Sequence, residues 1–251
     1  MPHVKCKGHC YTCPVRHQSI FSELPEDTLE ETIKDFHTSV LTYESGETLF
    51  RQYDDSSESA FTLRKGLIKV TKSLPDGRTQ IVRILVAGDL FGFDGFANES
   101  YNNTAIALTD CEVCRLPMAE LAVLRKSMPG IDQSMVARLI KNVRQSEDML
   151  LELGAKKASE KLASFILRLS LSDQNLSFSV DSLQGKPGSE WAKLHLSRSE
   201  IGSLLGLTIE TVSRFFSDWK RKGFIQEEKG SIQILDAEGL KDAACTQGAC
   251  N

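Results

Sequence analysis

Between Leu196 and Ile225 the chain carries two helix starts with a turn glycine between them, and this constrains the fold more than any other feature. Ser197-Arg198-Ser199-Glu200 is a capping box, a Ser N-cap with Glu three residues on. Ile201, Leu204 and Leu205 form the inward side of a first helix, and Gly206 supplies a tight turn joining two helices at a steep angle. Thr208 caps a second helix, with Thr211 one turn inside it. Offsets of three and four residues gather Val212, Phe215, Phe216 and Trp219 on one side and Glu210, Ser213 and Arg214 on the other. A hairpin follows: Phe224-Ile225, Gly230, then Ile232 and Ile234. A plain solvated helix pair, or an i,i+4 Glu–Arg pair, would account for the charges alone. Turn glycine, both caps and hairpin together predict a winged helix-turn-helix.

The polar side of the second helix has the chemistry of a groove reader. Arginine forks onto guanine O6 and N7, and a carboxylate accepts from the cytosine amino group. Both stand at the start of the second helix, where helix-turn-helix proteins meet base edges. From 194 to 223 there are five Lys/Arg (Arg198, Arg214, Lys220, Arg221, Lys222) against three acids (Glu200, Glu210, Asp218). That local sign suits phosphate although the net charge is −4, because charge on one face is what counts.

The first half reads differently. From about Ile20 to Pro117, glycines at 46, 66, 77 and 88 punctuate short β-rich runs such as Leu67–Thr71 and Gln80–Leu85. Asp76-Gly77 between such runs is a hairpin signal, and many short strands suggest a sandwich or rolled-up barrel. Strands first and helices after make the fold class α+β. The expected divisions are a Cys-containing segment (1–19), a β-roll sensor domain (20–117), a dimerisation helix region (118–154), the winged helix-turn-helix (155–240) and a tail (241–251), mobile after Gly239.

Residues 118–154 form a long helical pattern, broken near Met128-Pro129 because proline disfavours helix in the residue before it. Beyond it Met135, Leu139, Val143, Leu150 and Leu153 recur at coiled-coil-like steps, with Ser146 at the seam position between Val143 and Leu150. A stripe this narrow on a helix this long favours pairing with a second copy over packing on its own domain.

Seven cysteines, an odd number in a chain with no signal-peptide pattern, make a poor disulfide framework. The N-terminus lacks an apolar core and no apolar run approaches bilayer length, so a cytoplasmic, membrane-free protein is expected. Metal or redox chemistry suits the clustered Cys6, Cys10 and Cys13. Asp110–Leu116 reads as a strand, so Cys111 and Cys114 point to opposite faces and do not chelate as a pair. Cys245 and Cys250 are left aside.

Leu196–Ile225, with Leu207-Thr208-Ile209-Glu210-Thr211-Val212-Ser213-Arg214 at its heart, resembles the CRP/FNR superfamily of bacterial transcription regulators. Residues 87–94 (Ala-Gly-Asp-Leu-Phe-Gly-Phe-Asp), Cys114-Arg115-Leu116-Pro117 and the Met128-Pro129 break resemble its FNR branch. The resemblance implies a cyclic-nucleotide-binding-like jelly roll and a homodimer on an inverted repeat of TTGAT, with RNA polymerase as a further partner. Glu210, Ser213 and Arg214 would read bases; Ser197, Arg198, Thr208 and Thr211 would hold phosphates. It implies no cyclic AMP, because an Asn103-Thr104-Ala105 triplet replaces the Arg-Ser/Thr-Ala that neutralises the cyclic phosphate. It implies instead an oxygen-sensing [4Fe–4S] cluster with Cys114 as its roll ligand. Ser19 occupies one position where the branch has a ligand, with His17 nearby, so the set becomes Cys6, Cys10, Cys13 and Cys114. The cluster would bias the long helix toward pairing, and its loss would part the dimer. Ser146 replaces an aspartate whose repulsion keeps such relatives apart without a cluster.

Free or zinc-bound thiols remain an alternative to the cluster, as do haem, a small ligand and a thiol switch in the same DNA-binding architecture. Cys-x3-Cys-x2-Cys is also the radical-SAM spacing, but those enzymes need strands alternating with helices, so no enzyme is expected.

Overall fold

Strands dominate until Pro117, where short runs rich in β-branched and aromatic residues send successive side chains to opposite faces. The computed structural model describes residues 3–7, 13–22, 36–56, 58–97, 99–171 and 191–244. It comprises two compact units, Met1–Asn142 and Val143–Asn251.

In the first unit the strands are β1 (His3–Lys7), β2 (Ser39–Tyr43), β3 (Thr48–Phe50), β4 (Ser59–Lys65), β5 (Ile68–Ser73), β6 (Thr79–Leu85), β7 (Leu90–Phe91), β8 (Thr104–Ala107) and β9 (Cys111–Pro117). They form antiparallel sheets of order β1-β2-β9-β4-β7 and β3-β8-β5-β6. The β5–β6 hairpin turns at Asp76-Gly77, as expected, with Ser73 opposite Thr79. Residues of both sheets share one core, in which Phe50, Phe61, Phe91 and Tyr101 stack; the Phe50 and Tyr101 ring centres are 3.9 Å apart. A second core covers the outer face of the larger sheet: Ala60, Leu90, Cys114 and Leu116 meet Ile20, Phe21 and the helices that follow.

Those helices are α1 (Met118–Ser127) and α2 (Pro129–Ala155). Met128 between them is extended (φ −135°, ψ 91°), the conformation a following proline favours. The second unit continues with α3 (Ala158–Leu171), β10 (Ala192–Lys193), α4 (Arg198–Leu205), α5 (Ile209–Arg221), β11 (Ile225–Glu228), β12 (Ser231–Ile234) and α6 (Ala237–Ala244). Its sheet has the order β10-β12-β11, and the β11–β12 hairpin turns through Lys229 and Gly230, both at positive φ. Near the C-terminal end of α2, Glu152 is 3% exposed and accepts from Arg168 Nη2 of α3 (3.0 Å), with Lys156 Nζ at 2.8 Å.

Two expectations need correcting. The segment after Gly239 is not a mobile tail throughout: α6 runs to Ala244 because Leu240 is fully buried. The first helix of the segment expected from 155, α3, starts at Ala158, since the Glu160 carboxylate accepts from Lys157 N–H and fixes the start there (2.7 Å). Residues 172–190, Cys10, Cys245 and Cys250 lie outside the described residues. Among the described residues no helix is long and apolar enough to cross a membrane.

Candidate nucleic-acid interface and cysteine site

The capping box forms in full. Ser197 Oγ accepts from Glu200 N–H (3.2 Å), and Glu200 Oε2 accepts from Ser197 N–H (2.9 Å). Helix α4 ends at Gly206, whose left-handed backbone (φ 63°, ψ 38°) costs glycine little. Gly202 went unremarked in the sequence. It is buried inside α4, and a Cβ there would stand 2.6 Å from the Leu207 carbonyl oxygen. A glycine in the interior of a helical pattern was the available signal for this close approach.

Thr208 Oγ1 accepts from Thr211 N–H (3.2 Å) and starts α5. Val212, Phe216 and Trp219 turn inward, fully buried. Glu210 and Arg214 stand exposed on the opposite side, with Ser213 half-buried between them. The α5 N-terminus and the Thr208 hydroxyl hold the Glu210 carboxyl below its ordinary range, so it remains an acceptor. The Arg214 guanidinium lies 5.5 Å from the Phe215 ring centre, and Phe215 packs against Trp219. At the far end of α5 Asp218 pairs with Arg221 (2.5 Å) and Lys222 (2.9 Å), so that basic run is partly neutralised. Ser197 and Thr208 are exposed and Thr211 half-exposed. Arg198, expected to hold phosphate, is engaged within the fold. Its guanidinium lies over the Phe216 ring, 3.3 Å from the centre, and pairs with Glu227 of β11.

On β9, Cys111 and Val113 face the core between the sheets while Cys114 and Leu116 face outward, the opposition that strand alternation requires. Cys114 and Cys13 line one cavity of about 20 Å³, together with Ser19, Phe21, Thr62 and Arg64. The Ser19 hydroxyl is committed locally, donating to Arg16 O (2.8 Å) and accepting from Phe21 N–H (3.2 Å). Cys6 is exposed on edge strand β1, in register with Val40, which is in register with Cys114. Two strand spacings, about 10 Å, therefore separate Cys6 from Cys114. The expected cluster set does not fit this arrangement. The cavity admits about one water, and Val40 stands between two of the thiols. No trio of His, Cys, Asp or Glu gathers as a metal site among the described residues.

The segment carrying Cys13 also reaches α2. Arg138 donates from Nη2 to Ser19 O (2.6 Å) and from Nη1 to Gly88 O (3.4 Å). The Ser22 and Ser134 hydroxyls are 3.3 Å apart, and Ile20 and Phe21 share a core with Ile131 and Met135. Met135 is therefore 6% exposed, turned into its own domain instead of the expected seam. Leu153 is half-buried too. The exposed apolar stripe of α2 is Val136, Leu139, Ile140, Val143, Leu150 and Leu151, with Ser146 exposed among them.

Residues 40–127 match the cyclic nucleotide-binding domain and residues 160–243 the Crp-like helix-turn-helix domain. The chain is 30% identical over 234 residues to the transcriptional regulatory protein btr of Bordetella pertussis, covering 93% of this chain and 92% of that one. It is 34% identical over 195 residues to the transcriptional activator protein FnrA of Stutzerimonas stutzeri (78% and 76% covered). The structure of FixK2 from Bradyrhizobium japonicum superposes with a TM-score of 0.68 at 26% identity, covering 83% of this chain and 98% of that one.

Proposed function

This chain belongs to the CRP/FNR superfamily of bacterial transcription regulators, in its FNR-like branch, and from that premise we propose that it reads a TTGAT-type inverted repeat as a homodimer under redox control. The observation that carries the DNA-reading half is the exposed face of α5. Glu210, Ser213 and Arg214 stand together on a helix whose opposite face is buried and whose start is fixed by Thr208. Such a face enters a major groove, and two-fold pairing along the apolar stripe of α2 sets two copies on successive half-sites. Ser197, Thr208 and Thr211 are the phosphate contacts of this reading, and RNA polymerase is the partner that a dimer so placed on DNA would engage.

The test is a binding titration of full-length protein on the palindrome and on a scrambled duplex. Arg214→Ala should lower affinity for the palindrome at least tenfold, from a loss of about 1–3 kcal/mol per bidentate base contact, and barely alter binding to the scrambled duplex. Equal loss on both duplexes would sink the reading.

Redox control rests on Cys13 and Cys114 lining one cavity, with the Cys13 segment hydrogen-bonded to α2 through Arg138. The geometry favours a thiol switch, in which an external oxidant of the peroxide class takes up the thiol electrons and a cellular thiol returns them, since a four-thiolate cluster does not fit the segment as it lies. The visible spectrum of anaerobically purified protein separates the two. A featureless spectrum supports thiol control; a broad brown shoulder bleached by air supports a [4Fe–4S] cluster on Cys6, Cys10, Cys13 and Cys114. A cyclic nucleotide has no place in the proposal: Asn103 offers an amide instead of a cation, and stacked aromatics pack the interior of the roll. The enzyme alternative also lapses, because the relatives are transcription regulators and the sheets pair antiparallel.

A further inference from the structure

Glu227 lies on the wing strand β11, within reach of two cations of the helix-turn-helix. Its Oε2 is 2.8 Å from Lys220 Nζ near the end of α5, and its Oε1 binds Arg198 Nη2 at the start of α4. Burial pushes the Glu227 carboxyl up, but Lys220 and Arg198 outweigh it and hold the group below the usual carboxylate range. It is therefore a carboxylate at neutral pH. Arg198 is fixed from both sides, its guanidinium face against Phe216 and its edge against Glu227, with only 24% of its side chain exposed. Ser197 and Arg198 stand at the amino end of α4, whose dipole favours an anion, while the capping box takes up the Ser197 and Glu200 N–H groups.

We infer that Glu227 is a positioning residue that withholds Arg198 from the DNA backbone, its own carboxylate taking the place a phosphate oxygen would otherwise fill. The inference rests on the DNA-reading face proposed above. Its consequence is a regulator with fewer sequence-independent phosphate contacts, and hence greater dependence on the base contacts of Glu210, Ser213 and Arg214. Phosphate contacts add affinity for any duplex, whereas base contacts add it only at the right one. A brace that merely stiffened the wing would stabilise the fold and leave the salt dependence of binding untouched.

Salt dependence is thus the readout. Full-length wild type, Glu227→Gln, Arg198→Ala and the double variant are titrated on palindromic and scrambled duplexes between about 50 and 200 mM salt. Each phosphate neutralised on duplex DNA adds about 0.9 to the slope of log affinity against log salt, so two arginines freed per dimer should steepen it by about 2 in Glu227→Gln. Affinity for the scrambled duplex at low salt should rise about tenfold, and preference for the palindrome should fall correspondingly. Arg198→Ala alone should leave the slope at its wild-type value, and the double variant should return to it. An unchanged slope in Glu227→Gln, a gain that persists without Arg198, or a shallower slope in Arg198→Ala alone would each overturn the assignment. The scrambled-duplex slopes require no base reading. A wild type with no preference for the palindrome would sink the proposed function, and the slopes would still judge Glu227.

Discussion

Tyr43 and Tyr101 show what enclosure does to single side chains in the roll. Burial is the largest cause that pushes each phenol from 10.0 up to about 12, and the Tyr101 hydroxyl donates to Ser59 O at 3.0 Å. A pKa raised on folding means that the native state resists giving up the proton. The stability so gained is complete below the unfolded value of 10.0 and is lost as pH rises through about 12. Unfolding midpoints should therefore fall steeply between those two values. Tyr101→Phe should lose about 1 kcal/mol at neutral pH for the missing hydrogen bond and show a shallower alkaline decline; denaturant titrations at a series of pH values check both. Neither tyrosine drew notice in the sequence, because nothing in the neighbours of Tyr101 announces a partner 42 residues away.

Among elements, the helix-turn-helix was legible nearly residue by residue, since its caps join groups three residues apart and its turn is set by one glycine. Gly202 marks the limit of that legibility. Gly206→Ala meets no closer neighbour than Leu153 Cδ2 at 3.5 Å and should cost about 1–2 kcal/mol for its left-handed backbone. Gly202→Ala must displace the Leu207 carbonyl and should cost more, as thermal midpoints of the two variants will show. The long helix is the contrasting case. Periodicity announced a stripe on α2 but could not say which face its own domain covers, and Met135, expected on the seam, is buried while its neighbour Val136 is exposed. Val143→Glu, on the exposed face, should set like charges against each other across a two-fold axis and yield monomers in sedimentation. Ser146→Asp should weaken pairing more mildly, by about 1 kcal/mol for charges near 4 Å in water. Dimers unaffected by either variant would place the interface elsewhere.

At the scale of the molecule, the redox control proposed above requires that the cysteine-bearing segment act on the long helix, and Arg138 supplies the shortest hydrogen bond between them that the first unit offers. Arg138→Ala should leave the sensor chemistry intact while severing its output. Thiol reactivity or spectrum would match wild type, and DNA affinity would no longer change between reduced and oxidised protein. Retained redox dependence would assign the coupling to the apolar contacts of Ile20 and Phe21 alone. The sequence by itself determined what neighbours within a turn can decide: the caps of α4 and α5, the hairpins, the Met128 break and the opposed faces of Cys111 and Cys114. It determined these because a hydrogen bond spanning three residues, or a side chain alternating along a strand, needs no knowledge of the rest of the chain. Tertiary structure alone decided that Cys13 and Cys114 line one cavity, that Arg198 faces Glu227 and not open solvent, and that Glu152 finds Arg168. Those pairings join groups distant in sequence, and a charge or a thiol carries no mark of its partner until the fold has closed around both.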